Sequence, residues 1–314
     1  MSLLAVQGLR VAFGTTAVVH DVSFGLEAGE TLALVGESGC GKSMTAFALL
    51  RLLPSGAGIT RGSVVFQGRD LVEASARELR AVRGRHIGLV LQEPMTALNP
   101  VRTIGSQLGE AIRRHLPLSR GATVERAREL LSLVGLADPG AALRAYPHTF
   151  SGGMRQRVLI AIAIACEPAL LIADEPTTAL DVTIQAEILD LLGRLQRRLG
   201  MALLLITHDL GVVRDRADRV AVMYAGRIVE QGAAGAVLDA PAHPYARGLL
   251  AAATGGGHYT TERLTEIAGT VASAAGALGC PFAPRCPDRI DGCDLGVPAL
   301  RPVGPGHDAA CIRA

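Results

Sequence analysis

The chain has 314 residues, 49% of them hydrophobic and 19% charged. That is enough for one large domain with an appendage, and too apolar for a disordered chain. A net charge of +2, with no run of five basic residues, argues against nucleic acid as the main partner. The longest apolar run, Val158 to Cys166, falls short of the about 20 residues that a membrane-spanning helix needs.

Met1 to Ala12 lacks a basic start followed by an apolar block, so no secretory leader is expected. Leu4 to Phe13 and Ala17 to Leu26 alternate in part between apolar and polar residues, as short antiparallel strands do. Thr31 to Val35 is a compact apolar strand running into a glycine-rich turn, and Ser43 to Leu53 has helical character. Together they make a strand, phosphate loop and helix unit. Ile87 to Leu91 reads as a further strand. Residues 103–145 are rich in arginine, with periodic apolar positions at Leu130, Leu131, Val134 and Leu136, and are expected to be helical.

Beyond Val158 helix and strand alternate: a strand over Leu170 to Ala173, a helix over Thr183 to Arg198, a strand over Ala202 to Ile206. Such alternation predicts a parallel sheet covered by helices. Val220 to Val229 reads as a closing strand pair around Ala225-Gly226. After about Gly232 the composition shifts to Ala, Gly and Pro, and four of the six cysteines gather there. The expected organisation is a main domain over 1–232 and an appendage over 233–314.

Gly36-Glu37-Ser38-Gly39-Cys40-Gly41-Lys42-Ser43 matches G-x-x-x-x-G-K-[ST] between a strand and a helix. Its glycines let backbone N–H groups converge on phosphates, and the helix N-terminus adds a positive dipole. Lys42, the single lysine among 31 basic residues, is expected to reach the β- and γ-phosphates, and the Ser43 hydroxyl to ligate Mg²⁺. Acidic residues at a neighbouring strand end complete such a site. Asp174 is expected to hold Mg²⁺ through its water shell and Glu175 to polarise the attacking water.

These motifs give a P-loop nucleotide hydrolase and no more. Ser151-Gly152-Gly153-Met154-Arg155-Gln156-Arg157, just upstream of the acidic strand, resembles the ABC signature S-G-G-x-x-x-R. Other motifs of that family follow in order: Gln92 resembles the Q-loop, Ala179-Leu180-Asp181 the D-loop and His208 the switch histidine, while Phe13 matches the aromatic that stacks on adenine. The resemblance covers essentially the whole chain. It implies an ABC cassette with a RecA-like parallel sheet core, an antiparallel β subdomain, a helical insertion at about 92–157 and the small C-terminal appendage. It implies ATP contacts from Phe13, Gly36, Glu37, Ser38, Gly39, Cys40, Gly41, Lys42, Ser43, Met44 and Asp174. Ser151, Gly152, Gly153 and Asp181 serve the nucleotide of a partner ATPase subunit. Catalysis falls to Glu175, His208 and Gln92, with Ser43 and Gln92 on Mg²⁺.

Within the family, Gln92 to Pro100, Phe150 to Arg157 and His243-Pro244-Tyr245 followed by Leu249-Leu250 resemble the importer ATPases for dipeptides, oligopeptides and, in some members, nickel. The partners so implied are a second, different ATPase subunit, two transmembrane permeases and an extracytoplasmic binding protein, with no nucleic acid. The implied place is the cytoplasmic face of the inner membrane, peripherally. Peptide is the expected cargo, and nickel or another small solute the alternative. A soluble ABC ATPase acting on ribosomes or DNA would fuse two cassettes or carry a long coiled coil, and neither is present.

Cys280, Cys286, Cys293 and Cys311 are separated by 5, 6 and 17 residues. Clustered cysteines without a secretion signal point to metal rather than disulfides. The gaps are long for a zinc ribbon; four cysteines suit an iron–sulfur cluster, which the resemblance implies in some members. A four-iron cluster, zinc and free thiols all stay open. His307 is read as a surface histidine with ligation as the alternative, and Cys166 as packing.

Overall fold

The computed structural model describes residues 2–178, 180–254, 267–271 and 279–314. The chain falls into two compact units, one made of residues 1–27, 31–73 and 206–314, the other of residues 28–30 and 74–205.

The first unit opens with β1 (Leu4–Phe13) and β2 (Thr16–Leu26), continues through β3 (Thr31–Val35), α1 (Lys42–Leu49), β4 (Ala57–Phe66) and β5 (Arg69–Asp70), and then leaves for the second. β1 and β2 are antiparallel, as their alternation predicts, and lie in a sheet of order β2-β1-β4-β5. β4 is not legible in the sequence, because Gly58, Arg61 and Gly62 interrupt its apolar pattern. Pairing along β1 sets it.

The second unit holds α2 (Ala76–Val82), β6 (Ile87–Val90), α3 (Pro94–Ala97), α4 (Ile104–His115), α5 (Arg120–Leu133), α6 (Pro139–Arg144), α7 (Gly152–Ala163), β7 (Leu170–Asp174) and α8 (Val182–Leu199). β8 (Ala202–Thr207) carries the chain back to the first unit. β6 and β7 pair in parallel, and the expected helical insertion is α3 to α6. Ser75 opens α2 with a capping box, exchanging hydrogen bonds with Glu78. In α8, Ile188, Leu191, Leu192 and Leu195 recur at helical spacing and are all buried. Gly200 in a left-handed conformation, φ 63°, ends that helix. Ile104, Leu108 and Ile112 of α4 and Leu130 and Leu131 of α5 are buried.

The first unit resumes with α9 (Leu210–Arg216), β9 (Arg219–Tyr224), β10 (Arg227–Ala233), α10 (Ala234–Asp239), α11 (Pro244–Thr254), β11 (Arg301–Gly304) and β12 (His307–Ala309). Its second set of strands runs β11-β12-β10-β9-β3. β3 and β9 pair in parallel, and β9 turns antiparallel into β10 through Ala225 and Gly226, both at positive φ. β3 is buried at every position, as strands covered on both faces are. One apolar core takes in Ala33 and Val35 of β3, Val220, Val222 and Tyr224 of β9, and Tyr245, Phe282 and Cys293 from beyond residue 232. The stretch 233–314 therefore shares its core with the strand that leads into the phosphate loop.

Candidate functional site

In the first unit, β3 ends at Val35 and the phosphate loop begins at Gly36, with φ 151°. A Cβ there would lie 2.2 Å from the Met223 carbonyl oxygen. Gly41 caps α1 in a left-handed conformation, φ 105°, and a Cβ on it would lie 3.0 Å from the Val18 carbonyl. Both glycines are demanded by close backbone approach. Lys42 is buried and its Nζ donates to the carbonyls of Gly36 at 2.8 Å and Glu37 at 3.0 Å. Ammonium and loop are thereby folded onto one another. Cys40 is buried behind the loop, and burial pushes its thiol up against the pull of Lys42.

Ser38 and Gly39 are exposed, while Ser43 and Met44 are half-buried on the first turn of α1. Phe13 closes β1 with an exposed ring, 40% accessible, as an adenine-stacking residue requires. His208 directly follows β8 and is exposed. Beside it, Asp209 caps α9 by accepting from Gly211 N–H at 2.8 Å.

In the second unit, β7 ends at the buried Asp174. Glu175 follows at φ 45°, a conformation that a non-glycine residue rarely holds and that clusters at functional sites. Its Oε2 accepts from Gln92 Nε2 at 2.9 Å and from Thr178 Oγ1 at 2.9 Å. Gln92, expected in the Q-loop, and the expected base are thus in direct contact. Thr178 is a partner that no sequence motif points to, although it lies only three residues on.

Ser151 caps α7, its Oγ accepting from Met154 N–H at 3.3 Å. Cβ atoms built on Gly152 and Gly153 would approach Leu180 at 3.2 Å and Ile184 at 2.7 Å. The signature glycines let α7 pack against the start of α8. Asp181 caps α8, accepting from Ile184 N–H at 3.0 Å, so its carboxylate is used within the chain. Ala179 lies outside the described residues.

Two residues from beyond residue 232 reach the phosphate loop. Arg285 meets the Glu37 carboxylate with both guanidinium arms, at 2.6 and 2.9 Å, and the Tyr245 hydroxyl accepts from Glu37 N–H at 2.8 Å. No local pattern signals a pair 248 positions apart.

The four clustered cysteines line one apolar cavity with His243 and Phe282, and Cys280 N–H donates to the Cys293 carbonyl at 2.7 Å. Among the described residues no group of three or more His, Cys, Asp or Glu side chains is arranged to hold a metal ion. The metal site expected of the clustered cysteines is therefore not shown among the described residues. His307 is neither on the surface nor a cysteine partner: it is buried, with Nε2 2.7 Å from Glu230 Oε1. The surface reading fails because β12 pairs with β10 and carries His307 inward.

Among the described residues no helix is long and apolar enough to cross a membrane. Residues 19–178 match the family model described as ABC transporter, and residues 229–293 match the oligopeptide/dipeptide transporter, C-terminal region. A probable peptide ABC transporter ATP-binding protein of Sinorhizobium fredii is 50% identical over 99% of this chain and 95% of its own. A dipeptide transport ATP-binding protein of Bacillus subtilis is 50% identical over 98% and 94%. An oligopeptide transport ATP-binding protein of Salmonella typhimurium is 46% identical over 99% and 93%. In structure the chain resembles an ABC transporter component from Clostridium perfringens, with TM-score 0.66 and 27% identity over 76% of this chain and 91% of that one. It also resembles a dimeric ATP-binding cassette bound to ADP and phosphate, with TM-score 0.65 and 26% identity over 74% and 98%. With its motifs in family order and its relatives matching nearly end to end, the chain belongs to the ABC transporter family, as one of its ATP-binding and ATP-hydrolysing subunits.

Proposed function

We propose that this subunit drives a dipeptide or oligopeptide importer. The observation that carries the reading is the nearly end-to-end match to dipeptide and oligopeptide transport ATP-binding proteins, together with the C-terminal match at residues 229–293. The partners are a second, different ATPase subunit, two permeases and an extracytoplasmic binding protein, and the place is the cytoplasmic face of the inner membrane. Residues 1–232 act as the ATPase domain and 233–314 as an appendage built onto its core.

Within the ATPase domain, Phe13 stacks on adenine and the loop from Gly36 to Met44 cradles the triphosphate through its N–H groups. Lys42 must exchange the carbonyls of Gly36 and Glu37 for phosphate oxygens. Ser43 and Gln92 would offer hydroxyl and amide oxygens to Mg²⁺, and Asp174 would hold it through its water shell. Magnesium, when bound, neutralises charge developing on the β- and γ-phosphates. Glu175 orients the attacking water and takes its proton, and His208 steadies the γ-phosphate. The hydrogen bond from Gln92 to Glu175 supports a shared role for these two. Ser151, Gly152, Gly153 and Asp181 serve the nucleotide held by the partner subunit. Because that clamp acts across an interface, an isolated subunit hydrolyses ATP poorly.

The cysteine cavity is read as a four-iron site built from Cys280, Cys286, Cys293 and Cys311, with zinc as the alternative. Convergence of the four on one cavity supports it. Metal and sulfide analysis of anaerobically purified protein decides it, and stoichiometric zinc without labile sulfide removes the iron–sulfur reading.

The reading as a whole is tested by reconstituting the subunit with its permeases and binding protein in vesicles. Di- and oligopeptides should stimulate ATP hydrolysis and be taken up. Stimulation by nickel and not by peptide would reassign the cargo.

A further inference from the structure

We infer that Arg285 and Tyr245 are positioning residues for the phosphate loop, setting ATP affinity through Glu37 without touching nucleotide. The inference rests on the ATP site proposed above and adds residues outside every nucleotide motif.

Glu37 offers three polar handles, and each is taken. Its carboxylate receives Arg285 fork to fork, its N–H donates to Tyr245 Oη, and its carbonyl accepts from Lys42 Nζ. Residues beyond 232 supply two of the three, and the third is the resting partner of the one lysine. Whatever displaces the backbone at Glu37 therefore displaces Lys42 as well.

Arg285 is itself tightly held. Its side chain is 2% exposed, Nε donates to the Ala268 carbonyl at 2.7 Å and Nη2 to the Ile267 carbonyl at 2.9 Å. The guanidinium lies 5.8 Å from the Tyr224 ring centroid. Tyr224, Tyr245 and Phe282 pack ring against ring at 4.6, 5.2 and 5.4 Å between centroids. A side chain fixed on so many sides has little rotamer freedom left to lose, so it holds its partner in place.

Charge points the same way. A carboxylate on a loop built to receive a triphosphate opposes binding at close range, and the bidentate guanidinium cancels it. Removing Arg285 exposes that charge and loosens the backbone together. Neither Arg285 nor Tyr245 meets a reacting group, so the effect belongs in affinity and not in the chemical step.

The test uses the assembled transporter and measures KM and kcat for ATP, with Kd for ATP from equilibrium dialysis. Hydrolysis by the wild-type complex establishes the ATP site itself, and only the ratio of variant to wild type bears on the positioning role. Arg285→Ala should raise KM and Kd about tenfold with kcat within twofold, and adding Glu37→Gln should recover part of the affinity. Arg285→Lys, which keeps the charge but not the fork, should fall between. Arg285→Ala strips the half-buried Glu37 carboxylate of its partner and can fail to assemble. Tyr245→Phe then decides, because it keeps the ring and removes one hydrogen bond; a three- to fivefold rise in KM at constant kcat is expected. Unchanged KM and Kd in Tyr245→Phe and Arg285→Lys, or a loss confined to kcat, overturns the inference.

Discussion

Glu37, two residues beyond β3, and Glu175, one residue beyond β7, occupy comparable places. Each is a half-buried carboxylate just after a fully buried strand. Their companions differ. Glu37 is locked to a guanidinium that is itself 2% exposed, whereas Glu175 receives the neutral amide of Gln92 and the neutral hydroxyl of Thr178. A carboxylate bound to a buried cation cannot leave without stranding the cation, so it serves to fix structure. Hydrogen bonds from neutral donors can be exchanged for water, which a base in hydrolysis has to do.

The largest expected effect tests the second half of that contrast. Glu175→Gln should lower hydrolysis by the assembled transporter about a thousandfold while ATP binding is kept. Hydrolysis at the wild-type rate would remove Glu175 from the chemistry and erase the distinction.

Next comes the rigidity of the phosphate loop. Gly36→Ala forces a Cβ to within 2.2 Å of a backbone carbonyl at positive φ. Chemical denaturation should show a loss of about 4 kcal/mol. An unperturbed midpoint would mean that the loop yields more readily than its contacts imply.

A third test reaches the Tyr245 end of the clamp. His243 Nδ1 accepts from Tyr245 N–H at 3.0 Å, and burial, helped by the charge of Arg247, pushes the His243 pKa down to about 4. The unfolded chain, with histidine near 6.5, takes up the proton first. This stability is therefore complete above about pH 6.5 and is lost as pH falls toward 4, on the order of 3 kcal/mol in all. Melting temperatures between pH 7 and 4.5 should fall more steeply for the wild type than for His243→Gln. Equal slopes would free the clamp from this histidine.

The smallest effect concerns the signature helix, which is held locally. Ser151→Ala removes the α7 cap and should cost about 1 kcal/mol of stability, read by denaturant titration. A larger loss would place Ser151 in a longer-range contact and blur the comparison.

Much of the proposed nucleotide machinery is legible in the amino-acid sequence, because each part is a local motif. Glycines at 36 and 41, a lysine opening a helix, an acidic pair closing an apolar strand and Ser-Gly-Gly before a helix each depend on neighbours a few positions away. β3 is legible at its full bounds for the same reason, since Thr31 and four apolar residues before a glycine loop leave little choice. The parallel pairing follows from the alternation of helix and strand. β4, whose glycines and arginine hide its pattern, does not. Nor does β12, three residues long, which turns His307 from a surface residue into the buried partner of Glu230.

The amino-acid sequence by itself thus pointed to ATP binding and hydrolysis, because the motifs that mark the family are each short and local. The tertiary structure alone decided what holds the cradle still. Arg285 and Tyr245 come to Glu37 across 248 and 208 positions, brought there by the apolar core that buries Phe282 and Tyr245 with β3 and β9. A single arginine beside a cysteine carries no local mark of such a role. Its meaning arises when burial removes water and one carboxylate takes both guanidinium arms.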